Sequence, residues 1–285
     1  MDLRTIYTAS VLAAAIVTAL VGFVVTESLL APILIFLTVL AIFDYWGYEA
    51  AKVVAPMTMF LYTLAFFGAL SGVQLIIIAA VIISALALKE KPKLAGPWHA
   101  TLAYPLRLAA LAPLVLLLGP LYLIYDAVRR GGIIYKAAAV LGAIGMGLFM
   151  FGRPLSLWVD PHVMSFGWLA QILPPEANPI YWVGAIGWEE LISRAIGPLG
   201  NAWWAIMHLP SRLAALPVLP AIGIVLLINI GGRWLWETYK EGGLIGSIIG
   251  HAVYNAMVSA FALGIQWWPT LIIISIILYA TFRKP

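Results

Sequence analysis

Trp188-Glu189-Glu190-Leu191-Ile192-Ser193-Arg194 places three ionisable groups within six positions of an otherwise almost continuously apolar chain. Each charge at a bilayer centre costs roughly 2.5–3.5 kcal/mol on insertion scales, so three unpaired charges would cost about 7–10 kcal/mol. Pairing offsets part of that cost, because Glu190 and Arg194 stand four residues apart in the favourable acid-before-base order on a helix. Glu189 points about 100° away from Glu190 around the helix and is not consumed by that pair. An intramembrane acid outside a local pair marks a functional site.

The rest of the chain supplies the membrane context. Its 285 residues are 64% hydrophobic and 10% charged, with a mean hydropathy of +1.02. A soluble domain carries about 25% charged residues. The expectation is therefore an all-α, polytopic transmembrane helical bundle of roughly 10–11 spans. The net charge of +4 sits in short basic runs at the ends of apolar segments, as orientation signals do, which argues against a nucleic-acid partner. Zero cysteines exclude disulfides, thiolate metal sites and a cysteine nucleophile. Arg4 and the apolar run after it read as a retained first helix rather than a cleaved signal, because further spans follow at once.

Apolar runs long enough to span occur near 6–26, 53–70, 72–88, 134–152, 219–236 and 265–282, with a shorter one near 29–43. Spans containing polar residues fall near 181–198, 201–217 and 243–262. Asp44 and Glu49 read as solvated charges in the connection after 29–43. Lys89-Glu90-Lys91-Pro92-Lys93 reads as a cytoplasmic loop, as do Arg129 and Arg130 with Lys136. Both cannot be inside if 101–127 is one simple crossing. Pro105, Pro113 and Pro120 leave open an interfacial piece plus a span, or a hairpin. Arg283 and Lys284 put the C-terminus on the cytoplasmic side of an integral, multi-pass protein. In the irregular stretch 153–178, Asp160-Pro161-His162 reads as a surface turn rather than a metal pair, since no third ligand lies nearby. Residues 1–130 then form N-terminal accessory transmembrane helices, and 131–285 a bundle that holds the polar groups.

Three constellations carry chemistry: Glu189-Glu190-x-x-x-Arg194, Trp204-x-x-x-His208 and His251-x-x-x-Asn255. Spacings of four put each pair on one helical face. Gly243, Ser247, His251 and Asn255 form one such stripe, and Gly242, Gly246 and Gly250 form the stripe beside it. Glycine at every fourth position lets a neighbour approach closely, so one face docks while the next presents polar groups. Leu209-Pro210 should end or kink the helix near His208, and a helix broken at membrane depth lines a protein-buried or watery space. Taken singly, each element also has a bland reading as a packing clamp or a hydrogen-bonded contact between helices. Taken together they suit amide hydrolysis. Glu189 in apolar surroundings is suited to general-base work near neutral pH. His208 would hold and polarise the water. His251 and Asn255 would donate to a tetrahedral oxyanion. Glu190 with Arg194, and Ser247 on the stripe, would support these groups. One Glu and two His (Glu189, His208, His251) also make a common ligand set for catalytic zinc. No His-Glu-x-x-His helix is present, and the preferred reading has no cofactor.

The series Glu-Glu-x-x-x-Arg, aromatic-x-x-x-His and His-x-x-x-Asn resembles the CPBP family of intramembrane proteases, which includes the type II CAAX prenyl endopeptidases (Ras-converting-enzyme homologues) and bacteriocin-processing and immunity proteins. Leu244-Ile245-Gly246-Ser247-Ile248-Ile249-Gly250-His251 is similar to that family's approach to its last histidine. The resemblance covers roughly residues 181–262, and Trp204 stands where the family usually has Phe. It implies a glutamate-dependent endopeptidase in which Glu189 and His208 activate water while His251 and Asn255 stabilise the oxyanion. Its partner would be a membrane-anchored peptide or protein, lipidated in some family members, within the lipid bilayer. Rival readings are a proton- or ion-coupled transporter, since buried Glu, His and Arg also build relays, and a catalytically silent immunity or binding protein. Arg107, Arg212 and the Arg233/Glu237 pair are further candidate buried charges, with Arg212 expected at a lipid headgroup.

Overall fold

The structure is a computed structural model that describes residues 30–46, 93–102, 118–150, 198–209 and 216–262, with scattered positions in 5–20, 189–194 and 212–213. Its elements are α1 (Leu30–Trp46), α2 (Gly119–Arg129), α3 (Ile133–Met150), α4 (Pro198–Met207) and α5 (Val218–Ala262). Among the described residues there is no strand, so this part of the chain is all-helical. The expected runs 53–70, 72–88 and 265–282, the stretch 153–178 with Asp160 and His162, Pro105, Pro113, Arg107, and Arg283 and Lys284 lie outside the described residues, as does most of 6–26.

The chain divides into two compact units. One takes Met1–Lys91, Pro120–Phe149 and Ala195–Gly232; the other takes Pro92–Gly119, Met150–Arg194 and Arg233–Pro285. Proline sets the start of several helices: Pro120, Pro198 and Pro220 each fall in a first turn, where a missing N–H costs nothing. Pro120 therefore stands at the start of α2.

In the first unit α1 packs on α4. α3 crosses the start of α5 through glycines: a Cβ on Gly142 would lie 2.7 Å from Gly223 Cα, and one on Gly145 would lie 2.5 Å from Leu219 Cβ. α3 buries Ala138, Ala139, Ala143 and Met146 while Ile133, Leu141, Ile144 and Leu148 face outward. The small residues on this inner face let the α3 and α5 backbones approach closely. α1 repeats the outward pattern with Leu30, Ile33 and Leu37.

Asp44 departs from the expected solvated loop charge. α1 continues to Trp46, so Asp44 lies in its last turn, and its Oδ2 accepts the backbone N–H of Tyr135 at 3.2 Å. A carboxylate at the start of α3 satisfies an amide that has no intrahelical partner and meets the positive end of the helix dipole. Gly132 makes the approach possible, since a Cβ there would sit 2.2 Å from Asp44 Oδ1. The buried Tyr135 hydroxyl donates to Asp126 Oδ2 at 2.9 Å, and Trp46 Nε1 donates to Asn229 Oδ1.

α5 also differs from expectation. The sequence suggests spans at 219–236 and 243–262 with a connection between them. In the structure helical backbone continues through Glu237–Gly242 and breaks only at Gly243, with φ 72° and ψ −170°. Hydropathy reads Glu237, Lys240 and Glu241 as a connection, yet all three are good helix formers. Glu237 and Lys240 form an exposed ion pair at 2.6 Å. Among the described residues one helix, Val218–Asn255, is long and apolar enough to cross a membrane.

Gly142→Ala should lower stability by about 1–3 kcal/mol through overpacking against the α5 backbone. Gly147→Ala meets nothing within 4 Å and should be neutral or stabilising by up to about 1 kcal/mol. Unfolding midpoints of both variants in detergent micelles check the contrast.

Candidate functional site

Glu189, Glu190, Leu191, Ser193 and Arg194 are helical, and Ser193 Oγ donates to the Glu189 carbonyl one turn back at 2.7 Å. The first consequence of this helix is the ion pair anticipated from spacing. Arg194 Nε donates to Glu190 Oε2 at 2.8 Å, and Arg194 Nη2 lies at the same distance, with both side chains fully buried. Removing two charges from water costs several kcal/mol per ion after relaxation, and such a pair persists only when further hydrogen bonds complete it.

Those bonds come from the second half of α5. Ser247 Oγ donates to Glu190 Oε2 and lies 3.2 Å from Arg194 Nε. Glu190 Oε1 lies 2.9 Å from His251 Nδ1. A carboxylate beside an arginine is an acceptor, so Nδ1 carries a proton, and in the neutral tautomer the lone pair is on Nε2. That second nitrogen faces Glu189, with Nε2 to Oε2 at 3.9 Å. Glu189 keeps 14% of its side chain exposed whereas Glu190 keeps none, so the outer carboxylate of the two is Glu189. Asn255 is buried one turn beyond His251 on the same face. Glu190 thus does more than steady its own helix, which was its expected part: it ties that helix to Ser247 and His251.

His208 and Trp204 belong to the other unit. α4 ends at Met207 and His208 occupies a turn, as the Leu209-Pro210 pair suggested. His208 Nδ1 donates to the Trp204 carbonyl at 2.7 Å, and the two rings meet edge to face at 5.0 Å. A carbonyl only accepts, so this imidazole also presents Nε2 as its acceptor nitrogen. A Cβ on Gly232 would lie 3.0 Å from Trp204 Cε3, which makes that glycine the floor on which the indole rests. The structure therefore gathers Glu189, Glu190, Arg194, Ser247 and His251 into one cluster with Asn255 a turn away. Trp204 and His208 form a separate pair. Arg212 is buried, at 3% exposure, rather than extended to a headgroup.

The face of α5 next to the cluster docks as the glycine stripe suggested, but its partner is the segment 93–101, of which the sequence marked only Lys93, as the end of a basic loop. A Cβ on Gly242 would lie 2.8 Å from Ala100 O, and one on Gly246 would lie 3.4 Å from Thr101 Cα. No family model, curated protein or solved structure matches the chain.

Arg194→Met should destabilise the protein by about 3–5 kcal/mol, because it leaves the Glu190 carboxylate buried without its counter-ion. Adding Glu190→Gln should recover much of that loss, since a neutral amide carries no uncompensated charge. Denaturation midpoints of the single and double variants give the comparison.

Proposed function

We propose that this protein is a multi-pass intramembrane endopeptidase with a cytoplasmic C-terminus, and that Glu189 is the general base that activates water against a peptide bond of a membrane-associated substrate. The observation that carries the reading is the 3.9 Å separation of Glu189 Oε2 from His251 Nε2, with the far side of the imidazole tied to Glu190. A gap of that size is too long for a direct hydrogen bond. It fits a water lying about 2.8 Å from each atom, donating one proton to each acceptor. Glu189 then takes a proton as the water oxygen attacks the carbonyl carbon.

Two protonation states of His251 divide its work. The neutral ring accepts from the water at Nε2. Once it has taken up a proton from solvent, the imidazolium donates from both nitrogens, to Glu190 at Nδ1 and to the tetrahedral oxyanion at Nε2, where Asn255 is the second donor. Glu189 passes the proton it took from the water to the leaving nitrogen as the C–N bond breaks. His208, with Nε2 as its acceptor, is assigned to the same water alongside Glu189 on the strength of the motif series. Glu190, Arg194, Ser247 and Trp204 hold these groups in place. The large apolar residues on the outer faces of α1 and α3 support the lipid setting.

A carboxylate, an imidazole and a second carboxylate in a row also suit a proton relay, the transporter reading. The ion pair between Glu190 and Arg194 weighs against it, because a relay would have to break a fully buried pair at each passage. Zinc held by Glu189, His208 and His251 is the other chemistry that their residue types suggest, although among the described residues no three such side chains are gathered to hold a metal.

Glu189→Ala should cut cleavage of a membrane-anchored peptide library, followed by mass spectrometry, by about 10²–10⁴-fold while the protein remains folded. Unchanged products would remove the central claim. Glu189-dependent flux across liposomes without peptide products would select the transporter, and full complementation by Glu189→Gln a silent binding role. Cleavage should also survive strong chelators; loss restored by added zinc would assign the metal-dependent form.

A further inference from the structure

Gly243 breaks α5 four residues before Ser247 and eight before His251. A break leaves carbonyls on one side and amides on the other without helical partners. One short segment satisfies both sides. The N–H groups of Leu244 and Ile245 donate to the carbonyls of Lys93 and Leu94 at 2.8 and 3.0 Å. The Gly242 carbonyl accepts from Gly96 N at 2.9 Å and from Thr101 Oγ1 at 3.1 Å. Lys93 Nζ donates to the carbonyls of Lys240 and Glu241 at 3.3 and 3.1 Å, at a helix end that favours a cation. Lys93 N donates to the Tyr239 hydroxyl at 3.0 Å.

The fit leaves no room for side chains. A Cβ on Gly96 would lie 2.0 Å from Glu241 O, and one on Gly243 would lie 2.6 Å from Ala95 Cα, at a positive φ that L-residues rarely adopt. Lys93, Leu94 and Ala95 are exposed on their outer side, so the segment lies across the break as a strap.

We propose that the strap Lys93–Thr101 is a positioning element for the candidate active site: by capping both sides of the break it sets the rotation of the helix that carries Ser247 and His251. One residue of slip turns a helix by about 100°, which is enough to carry His251 away from Glu190. This inference rests on the reading of Glu189 and His251 as the working pair, but the positioning itself is measurable without any substrate. Lys93 and Gly96 lie far along the sequence from the acid–imidazole cluster and act on it only through the backbone of α5.

The experiment uses the full-length protein in lipid nanodiscs, comparing wild type with Gly96→Ala, Lys93→Met and Lys93→Arg. Gly96→Ala should lift the strap without altering α5 itself. Hydrogen exchange at Leu244 and Ile245 should speed up at least tenfold, and the ¹⁵N signal of His251 Nδ1 should lose the signature of a proton shared with Glu190. On a cleaved peptide, kcat should fall at least tenfold with KM within twofold. Lys93→Met should move each readout part of the way, and Lys93→Arg should restore it. If Gly96→Ala does not fold, the Lys93 pair decides on the same readouts. Fast exchange at Leu244 and Ile245 with an unmoved His251 signal would overturn the proposal, as would unchanged exchange in both variants. Absence of any cleavage, with the exchange and ¹⁵N changes present, would remove the peptidase reading and leave the strap standing.

Discussion

A carboxylate with no exposed surface governs this structure. Glu190 lies fully buried, and burying an isolated carboxylate costs more than a domain can spare, so every lone pair it presents must meet a donor. Arg194 supplies the counter-charge from its own helix, and Ser247 and His251 supply the remaining bonds from α5. The requirement reaches well beyond the four residues. It selects the face of α5, the one with Ser247 and His251, that lies beside residues 189–194. It also orients one imidazole so that a single nitrogen is turned to the outer carboxylate of Glu189.

The same logic recurs in the first unit with a different outcome. Asp44 is offset by a helix amide, and Asp126 by the hydroxyl of the buried Tyr135 together with Arg130, whose Nε lies 3.6 Å from Asp126 Oδ1. These contacts pin the end of α1 and the turn between α2 and α3, where Gly131 adopts a positive φ. They hold α3, which packs with alanine and glycine and turns leucine and isoleucine outward, and α1, which buries Ile35, Val39, Ile42 and Phe43. Close backbone contact and a few satisfied polar groups join these helices.

Much of the polar centre is legible in the sequence. The four-residue spacing of Glu190 and Arg194 announces their pair, and the stripe of Ser247, His251 and Asn255 beside Gly242 and Gly246 announces a face that docks next to one that presents polar groups. The proline after Leu209 marks the end of α4 at His208. Other features were not legible, for identifiable reasons. Asp44 sits at the end of an apolar run, and nothing in its neighbours says that a helix ninety residues later begins against it. Glu237 to Glu241 reads as a connection because hydropathy weighs charge, whereas the backbone weighs helix propensity and stops only where a glycine permits φ 72°. Lys93 to Gly96 shows only as a basic loop with a glycine, because its part is played by backbone carbonyls that every residue possesses.

The amino-acid sequence alone determined how apolar this chain is, the presence of a charge pair that must be buried, and the faces on which its polar residues stand. Those follow from local quantities: transfer cost, helical spacing and the conformational range of glycine and proline. Tertiary structure decided that Glu190 is the hub of the cluster, that His251 turns one nitrogen to each carboxylate, and that a distant strap caps the break in α5. Each of these is a meeting of groups far apart in the chain, and their partners are selected by which buried donors and acceptors can be satisfied together.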